Sequence, residues 1–159
     1  MLIVADSSAL VALAVCDGLI FLDRLFDAVK VPQAVFDEVS VEGKPAADIL
    51  RAYLADKITT IDITDFVISV PGLGLGELEA MALYKRLHAD YLLIDDRRAR
   101  KVARLNHIKI TGSQGILLLA KHERPIDRVT PFIARLRASD IRISEDLIQK
   151  MLRLAEESE

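Results

Sequence analysis

Two apolar runs in this chain stop at carboxylates. Leu2-Ile3-Val4-Ala5 ends at Asp6, and Tyr91-Leu92-Leu93-Ile94 ends at Asp95-Asp96. An aspartate at such a point either caps the next helix or serves a ligand beyond the carboxyl edge of a sheet. In open α/β sheets the second role lets residues far apart in sequence converge on one cleft. Helical spacing adds two glutamates. Glu38 lies three residues after Val35 and four after Ala34, on the flank of an apolar helix face. Glu77 opens a helix whose apolar face is centred on Ala80, Leu83, Tyr84 and Leu87, and it projects nearer to that face than Glu79 does. A charge near a buried face is costly without a partner. The plainer accounts are a surface ion pair for Glu38 and the positive end of a helix for Glu77.

Asp6, Glu38, Glu77 and one or both of Asp95 and Asp96 would repel one another in a shared cleft, and a divalent cation removes that penalty. Oxygen donors alone suit one or two Mg²⁺ or Mn²⁺ ions rather than Zn²⁺. His88, His107 and His122 lack ligand spacing and are expected at the surface. A metal held by carboxylates, with no nucleophile triad, points to hydrolysis of phosphodiesters. The helix after Asp96 agrees with this. Arg97, Arg100, Lys101 and Arg104 share one face opposite Ala99, Val102 and Ala103, and from Arg97 to Lys109 there are six Lys or Arg and no acid. A charge run is otherwise a solvated face, but this one starts beside the proposed metal site, where phosphates need counter-charge. Aromatic residues are only 5% of the chain, so contacts to backbone and shape should outweigh base stacking.

The elements that must position these residues alternate. Strands are expected at 2–5, 29–31, near 58–63, at 91–94 and at 108–111, and helices at 9–25, 33–40 after Pro32, 46–55, 77–89, 97–106 and 113–122. Residues 71–76, with three glycines, read as a hinged loop over the site. Alternation of this kind implies a parallel sheet of four to five strands covered on both faces, a three-layer α/β/α architecture. Ser144 caps a last helix with Glu145 and Asp146 in its first turn. Its stripe of Leu147, Ile148, Met151, Leu152 and Ala155 packs on the same domain or on a partner.

Length and composition bound the rest. A chain of 159 residues is one domain with room for one core. The single cysteine, Cys16, excludes a disulfide framework and a cysteine zinc cage, and its apolar surroundings place it in the core. A net charge of −3 argues against a non-specific DNA-coating protein. The longest apolar run, Ala9 to Cys16, is too short to span a bilayer, and the first residues show no secretion signal, so a cytoplasmic protein is expected. Gly72-Leu73-Gly74-Leu75-Gly76 misses the dinucleotide-loop spacing by one place and does not follow the first strand.

Val4-Ala5-Asp6-Ser7-Ser8-Ala9-Leu10 resembles the opening motif of PIN domains. Val31-Pro32 through Glu38-Val39 resembles their second motif, Gly76-Glu77-Leu78-Glu79-Ala80 the third in a Gly-Glu variant, and Leu92-Leu93-Ile94-Asp95-Asp96-Arg97 the fourth, with Ile94 in place of the usual Thr. The run Ile94-Asp95-Asp96-Arg97-Arg98-Ala99-Arg100, with Ile110-Thr111-Gly112 and the tail Ile141-Arg142-Ile143-Ser144, is similar to a prokaryotic PIN subfamily. The resemblance implies the three-layer fold and Mg²⁺- or Mn²⁺-dependent RNA cleavage. By register with the fourth motif, Asp96 joins Asp6, Glu38 and Glu77 as the expected metal-holding acids; Ser8 would then orient Asp6 or a bound water, and Arg97, Arg100, Lys101 and Arg104 would hold phosphates. Many small members are VapC-type toxins held by a small antitoxin protein, often as homodimers. The alternatives are a non-catalytic RNA- or protein-binding PIN domain and a structure-selective DNA nuclease.

Overall fold

The computed structural model describes residues 1–63 and 72–158. Leu2–Ala5 forms strand β1, in which Ile3, Val4 and Ala5 are fully buried. A strand apolar on both faces must lie inside a covered sheet. The chain leaves it through helices α1 (Ser7–Val15) and α2 (Ile20–Leu25) and returns as β2 (Ala28–Pro32). The single helix expected over 9–25 is divided because Asp17 takes a φ of 63°, a left-handed conformation that ends a right-handed helix. Helix α3 (Gln33–Val39), helix α4 (Ala47–Leu54) and strand β3 (Ile58–Thr59) follow. Pro32 has extended backbone, so it closes β2 and stands at the N-cap of α3 rather than inside it.

Helix α5 (Leu75–Arg86), strand β4 (Tyr91–Leu93), helix α6 (Arg97–Leu105), strand β5 (Ile110–Thr111) and helix α7 (Ser113–His122) complete the alternating part. Helix α5 starts at Leu75, so Gly76 belongs to its first turn and not to the expected loop. Pro71 lies outside the described residues. Helices α8 (Thr130–Ala138) and α9 (Glu145–Leu154) form the tail.

The sheet is wholly parallel, in the order β3-β2-β1-β4-β5. Ile3 pairs with Val29 and Tyr91, and Val4 with Leu92. The two-residue period of the central strands divides their side chains between two core layers. Ile3, Ala5 and Leu93 face a layer with α1, α2, α7, α8 and α9, whereas Val4, Leu92 and Ile94 face one with α5 and α6. The α9 stripe of Ile148, Met151, Leu152 and Ala155 is buried in the first layer, so it packs on this chain. Glu157, whose side chain is 5% exposed, ties the tail down. It accepts hydrogen bonds from the Val129 and Thr130 amides and pairs with Lys121.

The strand order reverses at β1. One half of the chain builds outward through β2 and β3, and the other through β4 and β5. The crevice beyond the carboxyl ends of β1 and β4 is therefore the switch point at which such sheets bind ligands.

Candidate active site

Asp6 follows β1 and Asp96 follows β4, so strand pairing alone makes them neighbours. The Asp6 amide donates to the Leu93 carbonyl at 2.9 Å. Asp6, Glu38, Glu77 and Asp96 line one cleft of about 650 Å³, together with Ser8, Asp37 and Gly76. The four expected carboxylates thus meet although they come from four separate elements.

They are held differently. Asp96 is the N-cap of α6, and its Oδ2 accepts from the Ala99 amide at 2.8 Å. Glu77 caps its own helix: Oε2 accepts from the Gly74 amide at 2.6 Å. Glu38 Oε2 accepts from Ser7 Oγ at 2.9 Å. Each of these three has one oxygen fixed by a protein donor, and its second oxygen has no protein partner among the described residues. Asp6 is the exception. It precedes α1 but makes no side-chain cap bond. It is 3% exposed, and its Oδ1 is buried with no hydrogen-bond partner.

Burial pushes the Asp6 carboxyl up to about 7. The Ser7 backbone opposes this, and the charges of Glu77, Glu38 and Asp96 add to the rise. A buried, unpaired acceptor surrounded by like charges costs free energy that helix capping does not explain. A cation beside Asp6 would offset both the lost hydrogen bond and the repulsion. Among the described residues no three His, Cys, Asp or Glu side chains stand close enough together to hold a metal ion as a group. The donor set nevertheless fits Mg²⁺ or Mn²⁺, since Mg²⁺ keeps several waters and typically takes only one or two carboxylates directly.

Gly76 makes the close approach of α5 possible. A Cβ there would lie 3.0 Å from Glu38 Oε2, 3.4 Å from Val35 Cγ2 and 3.9 Å from Asp6 Oδ1. Glu79, on the same helix, turns away from the cleft and accepts from the Ala34 amide at 2.8 Å, which docks the start of α3 on α5. Asp95 does not line the cleft. Its two oxygens accept from the Ser113 amide at 2.7 Å and from Ser113 Oγ at 2.6 Å, at the first turn of α7. Ser8 is exposed on the cleft wall, while buried Ser7 is the serine that touches a carboxylate.

On α6, Ala99, Val102 and Ala103 are buried, and Arg97, Lys101 and Arg104 are exposed. Arg100 is half-buried, and its Nη1 donates to the Ile94 carbonyl at 3.4 Å. His88, His107 and His122 are all exposed, and Cys16 is fully buried. No helix among the described residues is long and apolar enough to cross a membrane.

A parallel sheet in this order, between two helical layers and with acids gathered at its switch point, has the nuclease-type PIN architecture. The family model described as DUF3368, a PIN domain, matches residues 2–157, and the chain belongs to this family. PIN domains are in general divalent-metal-dependent nucleases. No curated protein and no solved structure matches the chain.

Proposed function

We propose that this protein is an endoribonuclease that hydrolyses RNA phosphodiester bonds with Mg²⁺ or Mn²⁺. One observation carries the reading: the buried, unpartnered Oδ1 of Asp6 in the cleft that Glu38, Glu77 and Asp96 also line. Asp6 would hold the ion, with Glu38, Glu77 and Asp96 bound directly or through water. The ion would supply Lewis acidity and charge neutralisation at the scissile phosphate. The chain does the rest. Gly76 leaves room for α5 beside Glu38, and Ser7 fixes one oxygen of that glutamate. Ser8 stands on the wall, where its hydroxyl can orient a water. Arg97, Lys101 and Arg104 provide counter-charge for the backbone on either side of the cut.

The resemblance to VapC-type proteins extends the proposal to a toxin restrained by a small antitoxin protein, acting as a homodimer in the cytoplasm. A second reading, a non-catalytic RNA-binding PIN domain, draws on Ile94 in the place of the usual Thr. Cleavage of a mixed structured RNA by wild type and Asp6→Asn, with Mn²⁺ and then with EDTA, separates them. We expect cutting only by wild type with metal. Equal cutting by Asp6→Asn would overturn the proposal, and a DNA substrate run alongside tests the choice of RNA, because only RNA offers a 2′-hydroxyl.

A further inference from the structure

A second hollow, of about 290 Å³, adjoins the acidic cleft and shares Ser7, Ser8 and Glu38 with it. Neither Asp96 nor Glu77 lines it. Its walls are mostly apolar: Val11 of α1, Pro45 in the turn after α3, and Ile141 from the segment between α8 and α9. Lys44 also lines it, exposed and without an ion-pair partner among the described residues. The tail segment thus supplies Ile141 to the wall beside the cleft, a role unrelated to the metal.

We propose that this hollow takes one unstacked nucleobase of the RNA strand whose phosphate lies in the acidic cleft, with Lys44 on an adjoining phosphate. The inference rests on the ribonuclease reading and adds a base-selecting subsite to it. Three observations support a base as the occupant. The hollow borders the cleft, with Ser7, Ser8 and Glu38 lining both, so the nucleotide next to the cut is within reach. Its size lies at the lower end of ligand pockets, which start at about 300 Å³, so it suits a single ring system. An apolar wall beside an unpaired cation matches the two chemistries of a nucleotide, and RNA is read by sequence mainly through bases splayed out of single strands. With few aromatic residues in the chain, the base must be selected by aliphatic contact and shape.

The test is cleavage of a randomised single-stranded RNA pool with Mn²⁺, followed by sequencing of the cut ends. Wild type is compared with Ile141→Phe, which fills the hollow, and with Lys44→Glu, an exposed substitution that leaves folding intact. The thermal shift on adding Mn²⁺ monitors the fold and the metal site separately. Wild type should favour one base at one position beside the cut by about tenfold, the low end of what an apolar pocket discriminates. Ile141→Phe should erase that preference while keeping the Mn²⁺ shift, and Lys44→Glu should slow cutting of all sequences alike. A wild type without preference, a preference that survives Ile141→Phe, or an unaltered rate in Lys44→Glu overturns the proposal and leaves the hollow to another occupant, such as an apolar peptide side chain. If wild type cuts no RNA, the ribonuclease reading fails separately. Binding of A, C, G and U homopolymeric ribo-oligonucleotides in EDTA then decides the subsite: base-dependent binding lost in Ile141→Phe upholds it, and base-independent or absent binding overturns it.

Discussion

Ser7 Oγ donates a 2.9 Å hydrogen bond to Glu38 Oε2, joining the first residue of α1 to the last turn of α3. Glu38 is otherwise exposed on a short helix. Groups that orient metal-binding side chains typically contribute 10–100-fold to metal affinity. Ser7→Ala should therefore weaken Mn²⁺ binding by about tenfold in calorimetry, with a stability loss of about 1 kcal/mol. Ser8→Ala, which breaks no protein hydrogen bond, serves as the comparison. Equal Mn²⁺ affinity in wild type and Ser7→Ala would show that Glu38 needs no such support.

Gly76 separates stability from function. Alanine is a better helix former than glycine by about 1 kcal/mol, and the nearest obstacle to its methyl group is the flexible end of Glu38, 3.0 Å away. Gly76→Ala should keep or raise the melting temperature while displacing Glu38 and reducing both Mn²⁺ affinity and RNA cleavage. A variant that melts much earlier would place the constraint in the packing against Val35 instead.

How far the site could be read from sequence depends on what fixed each residue. Asp6, Glu38, Glu77 and the Asp95-Asp96 pair were legible because strand ends and helix faces follow from apolar period. Apolar period does not separate Asp95 from Asp96, since both follow the same strand; only the match to the fourth PIN motif favoured Asp96. Only the position of α7 shows that Ser113 engages Asp95. Ser7 did carry a signal: Ser7, Leu10 and Ala14 continue one buried stripe of α1. That stripe marks Ser7 as the inward serine, although Ser8 was the one singled out. The break at Asp17 and the tail helix α8 were not legible, because a single left-handed residue and a short helix with a weak stripe leave little trace in composition. Lys44 and Ile141 come to line a hollow with Glu38 only through tertiary packing.

The pH dependence of the metal-free protein follows from Asp6. Its carboxyl ionises near 4 when unfolded and at about 7 in the fold, chiefly through burial. Between these values the native state binds the extra proton, so stability falls as pH rises from about 4 to about 7. Denaturant titrations in EDTA at pH 5 and pH 8 should show wild type losing stability at the higher pH, with Asp6→Asn losing less. Mn²⁺ should restore wild type at pH 8 and leave the variant unmoved. Parallel pH profiles for the two proteins would remove Asp6 as the source of the penalty.

Glu157 has the opposite sign. Burial raises its pKa, but Lys121, Thr130 and the Val129 amide outweigh that and hold it at about 2. A depressed carboxylate contributes stability above its unfolded pKa near 4.5 and loses it as pH falls toward about 2. Glu157→Gln should lower stability at pH 7 by about 3 kcal/mol, because it leaves Lys121 without its charge partner. The difference between wild type and variant should shrink below pH 4. Equal stability of wild type and variant at every pH would mean that the tail is held by the apolar stripe of α9 alone.

The four cations expected on α6 fall into two kinds. Arg97, Lys101 and Arg104 are exposed and have no partner among the described residues, whereas Arg100 is half-buried and donates to the Ile94 carbonyl. A side chain that meets phosphate changes the salt dependence of binding, by about 0.7 in the log–log slope per contact on a single strand. Lys101→Ala and Arg104→Ala should each reduce the slope for single-stranded RNA by about that amount with little change in melting temperature. Arg100→Ala should instead lower the melting temperature, because the carbonyl at the end of β4 loses its donor and the start of α6 loosens around Asp96. Anisotropy titrations across a range of salt concentrations, paired with thermal melts, check both halves. If Arg100→Ala changes the slope as the other two do and leaves the melt alone, the whole basic face is a phosphate surface and the hydrogen bond to Ile94 is incidental.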